Sequence, residues 1–112
     1  MYLTNLTDET IKVCKTDNKR LKLSGISSNS RSIKKGMLFA VIKGDKKNIN
    51  KYVLDAFKLG AIAVLCRKRD VNKLNKNIKN ILISEDIRLA IAKIASDFFP
   101  YQPKYITAIT GT

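Results

Sequence analysis

The sequence predicts an α/β domain in three layers: a mixed, largely parallel sheet with helices on its flanks. Three observations carry this prediction. Continuous apolar runs, at residues 37–42 and 61–66, have the length and composition of strands buried on both faces. Between and after them, apolar residues recur at helical spacing: Ile49, Tyr52, Val53, Ala56 and Phe57, then Ile87, Ile91, Ile94 and Phe98. Finally, a β-branched run at 105–110 opens into Gly111-Thr112, as a buried strand opens into a glycine-rich phosphate loop.

Taken in order, residues 1–22 are polar, with short apolar pairs, and form a poorly defined N-terminal segment of brief helix or strand. Leu23 to Arg31 reads as a short strand passing into a hydroxyl-rich loop, and Ile33-Lys34-Lys35-Gly36 as a turn. Residues 37–42 form a core strand, and 43–48 a polar loop. The first amphipathic helix follows, with Gly60 as its C-terminal cap. After the strand at 61–66 comes a basic connector through Lys79, then a third core strand, Ile81-Leu82-Ile83. Ser84 is the expected N-cap of the second helix, with Glu85 and Asp86 in its positive first turn and Pro100 ending it. Strands alternating with helices in this way require right-handed crossovers. The expected organisation is therefore a domain over 23–103, with 104–112 as the first strand and loop of another.

Composition narrows the function. A chain of 112 residues is one domain. No apolar run approaches a membrane span, and the N-terminus lacks a basic stretch followed by an apolar one, so a cytoplasmic address is expected, with no membrane partner. Cys14 and Cys66 stand far apart and histidine is absent, which argues against disulfides, zinc sites and histidine catalysis. The net charge of +13 suggests a polyanion partner. However, the lysines are spread along the chain among Asn and Ile, as in an AT-rich coding bias. No aromatic alternates with them as a base-stacking platform requires. Nucleic acid is therefore not the expected partner.

No catalytic constellation is complete. Asp45, and Glu85 with Asp86, are the acid–base candidates, but the first reads as a solvated charge and the other two as helix-terminus residues. Cys66 reads as a small apolar core residue. The loop Ser27-Ser28-Asn29-Ser30-Arg31 offers hydroxyls, an amide and a guanidinium that can hold a polar anion. The same residues can equally form a turn that bonds its own backbone. Position favours a ligand, because α/β sheets gather ligands outside the carboxyl ends of their strands. The 44–48 loop would form the opposite wall.

With these residues set out, the chain resembles the N-terminal domain of the Mur ligase family, most closely its E type. The resemblance covers about Leu23 to Thr112. Gly25-Ile26-Ser27-Ser28-Asn29-Ser30-Arg31 is similar to the family's Ser/Asp-Ser-Arg signature, and Gly36-Met37-Leu38-Phe39-Ala40-Val41-Ile42-Lys43-Gly44 to its Pro-Gly-Asp-Leu-Phe strand. Gly60-Ala61-Ile62-Ala63-Val64-Leu65 resembles the Gly-Ala-x-Ala-Val strand. Asp86-Ile87-Arg88-Leu89-Ala90 looks like the Asp-x-Arg-x-Ala helix start, and Phe98-Phe99-Pro100 like its aromatic end. Ile109-Thr110-Gly111-Thr112 looks like the start of the ATP loop. Each element is short, but their order and spacing agree.

The resemblance implies a peptidoglycan-synthesis ligase that adds the third amino acid to UDP-N-acetylmuramoyl-L-alanyl-D-glutamate, using ATP and Mg2+. This chain would bind the UDP moiety, through Ser28 and Ser30 and, across the crevice, Asp45, Lys46 and Lys47. Gly111 and Thr112 would open the ATP site, and the central and C-terminal domains would supply catalysis. The chain alone is expected to be inactive. Two departures stand out: Asn29 where the family usually has Asp, and a loop after Gly44 without Asp-Gly or histidine. The alternatives are the N-terminal domain of an F-type ligase, whose ATP loop usually differs at 110–112, and a small basic RNA-binding module.

Overall fold

Apolar runs too short to be helices, and apolar on both alternating faces, can only be covered from two sides. The computed structural model, which describes residues 2–18, 20–42 and 49–98, shows that arrangement. Five strands form one sheet: β1 (Lys12–Lys15), β2 (Gly25–Ser27), β3 (Met37–Ala40), β4 (Ala63–Cys66) and β5 (Ile81–Ile83). Their order is β1-β5-β4-β3-β2. Strands β2 to β5 are mutually parallel, and β1 pairs antiparallel with β5 at the edge. The expected mixed, largely parallel sheet is therefore present. Two strands are shorter than the apolar runs that announce them. Nevertheless Val41 extends the ladder, its N–H donating to Leu65 O at 2.8 Å.

The alternation of side chains along these strands builds two cores. Leu38, Ala40, Ala63, Leu65 and Leu82 face helix α2 (Ile87–Phe98), meeting Ile87, Ala90, Ile91, Ile94 and Ala95. Phe39, Val64, Cys66 and Ile81 face the other way, toward Ile49, Val53 and Ala56 of helix α1 (Ile49–Lys58). The connector after β4 is more ordered than its basic composition suggests. It contains a 3-10 helix, Lys68–Lys73, and then places Leu74 and Ile78 in the α1-side core.

Helix α1 stops where predicted. Gly60 has φ +118°, and its carbonyl accepts the Gly36 N–H at 2.8 Å. An added Cβ would lie 2.6 Å from Lys35 Cα, so both the backbone conformation and the close approach of the 33–36 turn require glycine.

The N-terminal segment is better defined than its sequence suggests. A 3-10 helix, Leu3–Leu6, buries Leu3 and Leu6 against the α2-side core together with Ile11 and Leu23. The Asp8 carboxylate accepts the Thr10 N–H (2.6 Å), the Thr10 hydroxyl (2.7 Å) and the Ile11 N–H (3.0 Å). Those hydrogen bonds, led by the Thr10 hydroxyl, hold its pKa down at about 2. Lys93 of α2 reaches the same carboxylate at 3.3 Å, tying the segment to the helix.

The expected Ser84 cap is corrected by two residues. Asp86 caps α2, its carboxylate accepting the Leu89 N–H at 3.1 Å, and both Glu85 and Asp86 precede the helix rather than fill its first turn. Ser84 is buried and accepts the Asp86 N–H at 3.3 Å, which positions the true cap. Periodicity starts at Ile87, so the cap must sit immediately before it. Asp86→Ala is expected to destabilise the domain by about 1 kcal/mol, read as a lower urea midpoint, with Ser84→Ala costing less.

Candidate functional site

Because β2 to β5 run parallel, their carboxyl ends lie along one edge of the sheet. This edge is where an α/β layer leaves room for a ligand. The hydroxyl-rich loop leaves β2 there and turns at once into a single 3-10 turn, Ser30–Ser32, which packs against α1. Residue chemistry left open whether the loop serves a ligand or its own backbone. The structure divides the residues between the two roles.

Ser27 and Asn29 serve the turn. The Ser27 hydroxyl donates to Asn29 O (3.2 Å) and accepts the Asn29 N–H (3.1 Å). The Asn29 side chain caps the 3-10 turn by accepting the Arg31 N–H at 2.9 Å, while its carbonyl accepts the Ser32 N–H at 3.0 Å. Ser28 and Ser30 are half-buried, and among the described residues their hydroxyls have no hydrogen-bond partner. The Arg31 guanidinium is exposed and likewise unpaired among those residues. The result is a turn whose internal bonds are closed, presenting two hydroxyls and one cation. Such a turn can hold an anion without first breaking a bond of its own.

The structure thus places Ser28 and Ser30 together and adds Arg31, a residue whose signal was its guanidinium within a hydroxyl-rich run. Asp45, Lys46 and Lys47, and with them Gly111 and Thr112 and the strand expected at 105–110, lie outside the described residues. Cys66 is fully buried in β4, and burial raises its thiol pKa to about 12, which suits a core residue and not a nucleophile. Among the described residues, no three His, Cys, Asp or Glu side chains converge as a metal site would need, and no helix is long and apolar enough to cross a membrane.

No family model matches the chain. Individual proteins do. The UDP-N-acetylmuramoyl-L-alanyl-D-glutamate–2,6-diaminopimelate ligase of Mesorhizobium japonicum is 38% identical over 92 residues, covering 82% of this chain and 19% of that protein. The proteins of the same name from Rickettsia typhi and Rhizobium meliloti are 32% identical over 94 residues and 34% over 98. They cover 84% and 88% of this chain, and 18% and 20% of their own lengths. The chain carries a Mur ligase N-terminal domain. It spans about a fifth of the length of the curated relatives it matches. For this Mur ligase domain, the change from the family's usual Asp to Asn29 has a structural reading. The turn needs an acceptor oxygen for the Arg31 N–H, and an amide Oδ1 supplies it as a carboxylate would.

Proposed function

We propose that this domain binds the UDP moiety of UDP-N-acetylmuramoyl-L-alanyl-D-glutamate at the carboxyl edge of its sheet, on behalf of a ligase that adds the third amino acid of the peptidoglycan precursor. The observation that carries the reading is the Ser28–Ser30 turn with its spare hydroxyls, found in a chain similar to proteins named for that substrate. The two hydroxyls suit the oxygen-rich diphosphate and ribose, and Arg31 suits the phosphate charge. Sequence adds Asp45, Lys46 and Lys47 as the facing wall, the lysines countering the diphosphate.

In the complete ligase, ATP with Mg2+ supplies activation of the substrate carboxylate, and Gly111 with Thr112 belongs to the loop that opens that site. The carboxyl-edge residues described above take no part in that chemistry. Their task is to fix one end of a long substrate so that its reacting end is delivered elsewhere. A cytoplasmic location belongs to the same reading.

Calorimetric titration of the chain with UDP-N-acetylmuramoyl-L-alanyl-D-glutamate tests it. Ser30→Ala is expected to weaken binding by about 1 kcal/mol, roughly fivefold in Kd, and Ser28→Ala by a similar amount. Unchanged affinity in both variants overturns the site. RNA binding that falls steeply with salt, with no uptake of the sugar nucleotide, overturns the function.

A further inference from the structure

We propose that the domain has a second ligand site at the opposite end of the sheet: a lysine-lined cleft that binds a small anion carrying several phosphates. It lies where β1 leaves the sheet and the connector enters β5, far from the carboxyl-edge turn, and it stands independently of the function proposed above. The cleft has a volume of about 480 Å3 and is lined by Lys15, Thr16, Asp17, Lys76, Asn77 and Lys79.

Two features distinguish this cleft from a chance gathering of surface lysines. The first is its frame. Asn80 is 8% exposed, and its side-chain oxygen accepts the Thr16 hydroxyl (2.6 Å) and the Asp17 N–H (3.3 Å). Its amide nitrogen donates to Ile62 O at 3.3 Å, anchoring the frame to the entry of β4. The Lys15 ammonium donates to Lys76 O at 3.2 Å, joining the two walls directly. Segments remote in sequence are thus locked into one concave surface before any ligand arrives, which lowers the ordering cost of binding.

The second feature is charge. The lining carries three lysines, Lys15, Lys76 and Lys79, against a single carboxylate, Asp17, and none of the three forms an ion pair among the described residues. Bringing like charges together is unfavourable, and a multiply charged anion removes that repulsion while gaining charge-assisted hydrogen bonds. A singly charged carboxylate would leave an excess. Linked phosphates match both the excess of positive charge in the lining and the room available. Lysine is suited to the task, as a point charge that adapts to phosphate oxygens without a fixed fork geometry.

The test is an amide NMR titration of the 112-residue chain with inorganic tripolyphosphate, repeated with ATP to separate free polyphosphate from a nucleotide source. Saturable shifts at residues 15–17 and 75–80 are expected. Lys76→Ala with Lys79→Ala should weaken binding at least about fivefold, while the control Lys51→Ala with Lys68→Ala, removing equal charge elsewhere, should change it less than about twofold. Equal weakening in both pairs, or shifts spread over every lysine-bearing segment, would mean diffuse charge attraction and overturn the site. Shifts confined to residues 109–112 would also overturn it, by assigning the phosphates to the glycine-containing end. UDP-sugar shifts at Ser28 and Ser30 provide the separate readout, since they should persist in the Lys76/Lys79 variant.

Discussion

Gly60→Ala is expected to destabilise the domain by about 3 kcal/mol or more, from two costs that add at one atom. At φ +118° the backbone lies where residues with a Cβ are strained, by roughly 1–3 kcal/mol. The new methyl would also lie 2.6 Å from Lys35 Cα and 3.0 Å from Lys35 N. Those neighbours are backbone, so relief requires moving the 33–36 turn. That turn is tied to Gly60 by the Gly36 N–H bond and to β2 by the Ser24 N–H bond to Gly36 O, both 2.8 Å. Urea unfolding of the variant beside Gly36→Ala, whose φ of +85° is strained but whose nearest foreign atom is the movable Ser24 hydroxyl at 3.1 Å, separates the terms. Gly60→Ala should be the more damaging of the two. Equal losses would show that conformation alone sets the requirement.

Leu65→Ala is expected to cost about 3–4 kcal/mol, from lost transfer energy and the cavity left behind. Leu65 is fully buried in the central strand β4, flanked by Ala40 on one side and Leu82 on the other, and it faces α2. Neighbouring strands cannot close on the space without breaking their ladders, so relaxation is limited. Against the roughly 5–15 kcal/mol typical of a whole domain, this should lower the melting temperature by on the order of 10–20 °C. The exposed Leu89→Ala, on the outer face of α2, is the control, and its effect should stay within about 0.5 kcal/mol. A Leu65→Ala midpoint matching that control would refute the two-core description.

The parallel strands were legible because strands buried on both faces carry continuous apolar runs, which nothing else of that length explains. Strand β1 was not. Lys12, Cys14 and Lys15 are exposed and only Val13 is partly covered, so an edge strand of this kind shows neither an apolar run nor clean alternation. The cap of α2 was misplaced because serine and aspartate are both good N-caps and stood two residues apart; only the backbone geometry chooses between them. For the carboxyl-edge turn, sequence supplied the residues but not their division of labour. Which hydroxyls are spent on the turn depends on its fold, with Ser27 and Asn29 closing it and Ser28 and Ser30 left over. The lysine cleft was illegible for a related reason. Its members, scattered among Asn and Ile, look like compositional bias until Asn80 draws the 15–17 and 76–80 segments together.

The antiparallel pairing of β1 with β5 carries a consequence for how the molecule is made. Lys12 lies opposite Ile83, so the earlier segment must wait for one emerging some seventy positions later. At ribosomal speeds of about 5–20 residues per second, that interval is roughly 4–14 seconds. Throughout it, Leu3, Leu6 and Ile11 have no finished layer to cover them. The nascent polypeptide therefore passes through a window in which this greasy segment is open to holding chaperones, and slower decoding of the later codons would lengthen that exposure.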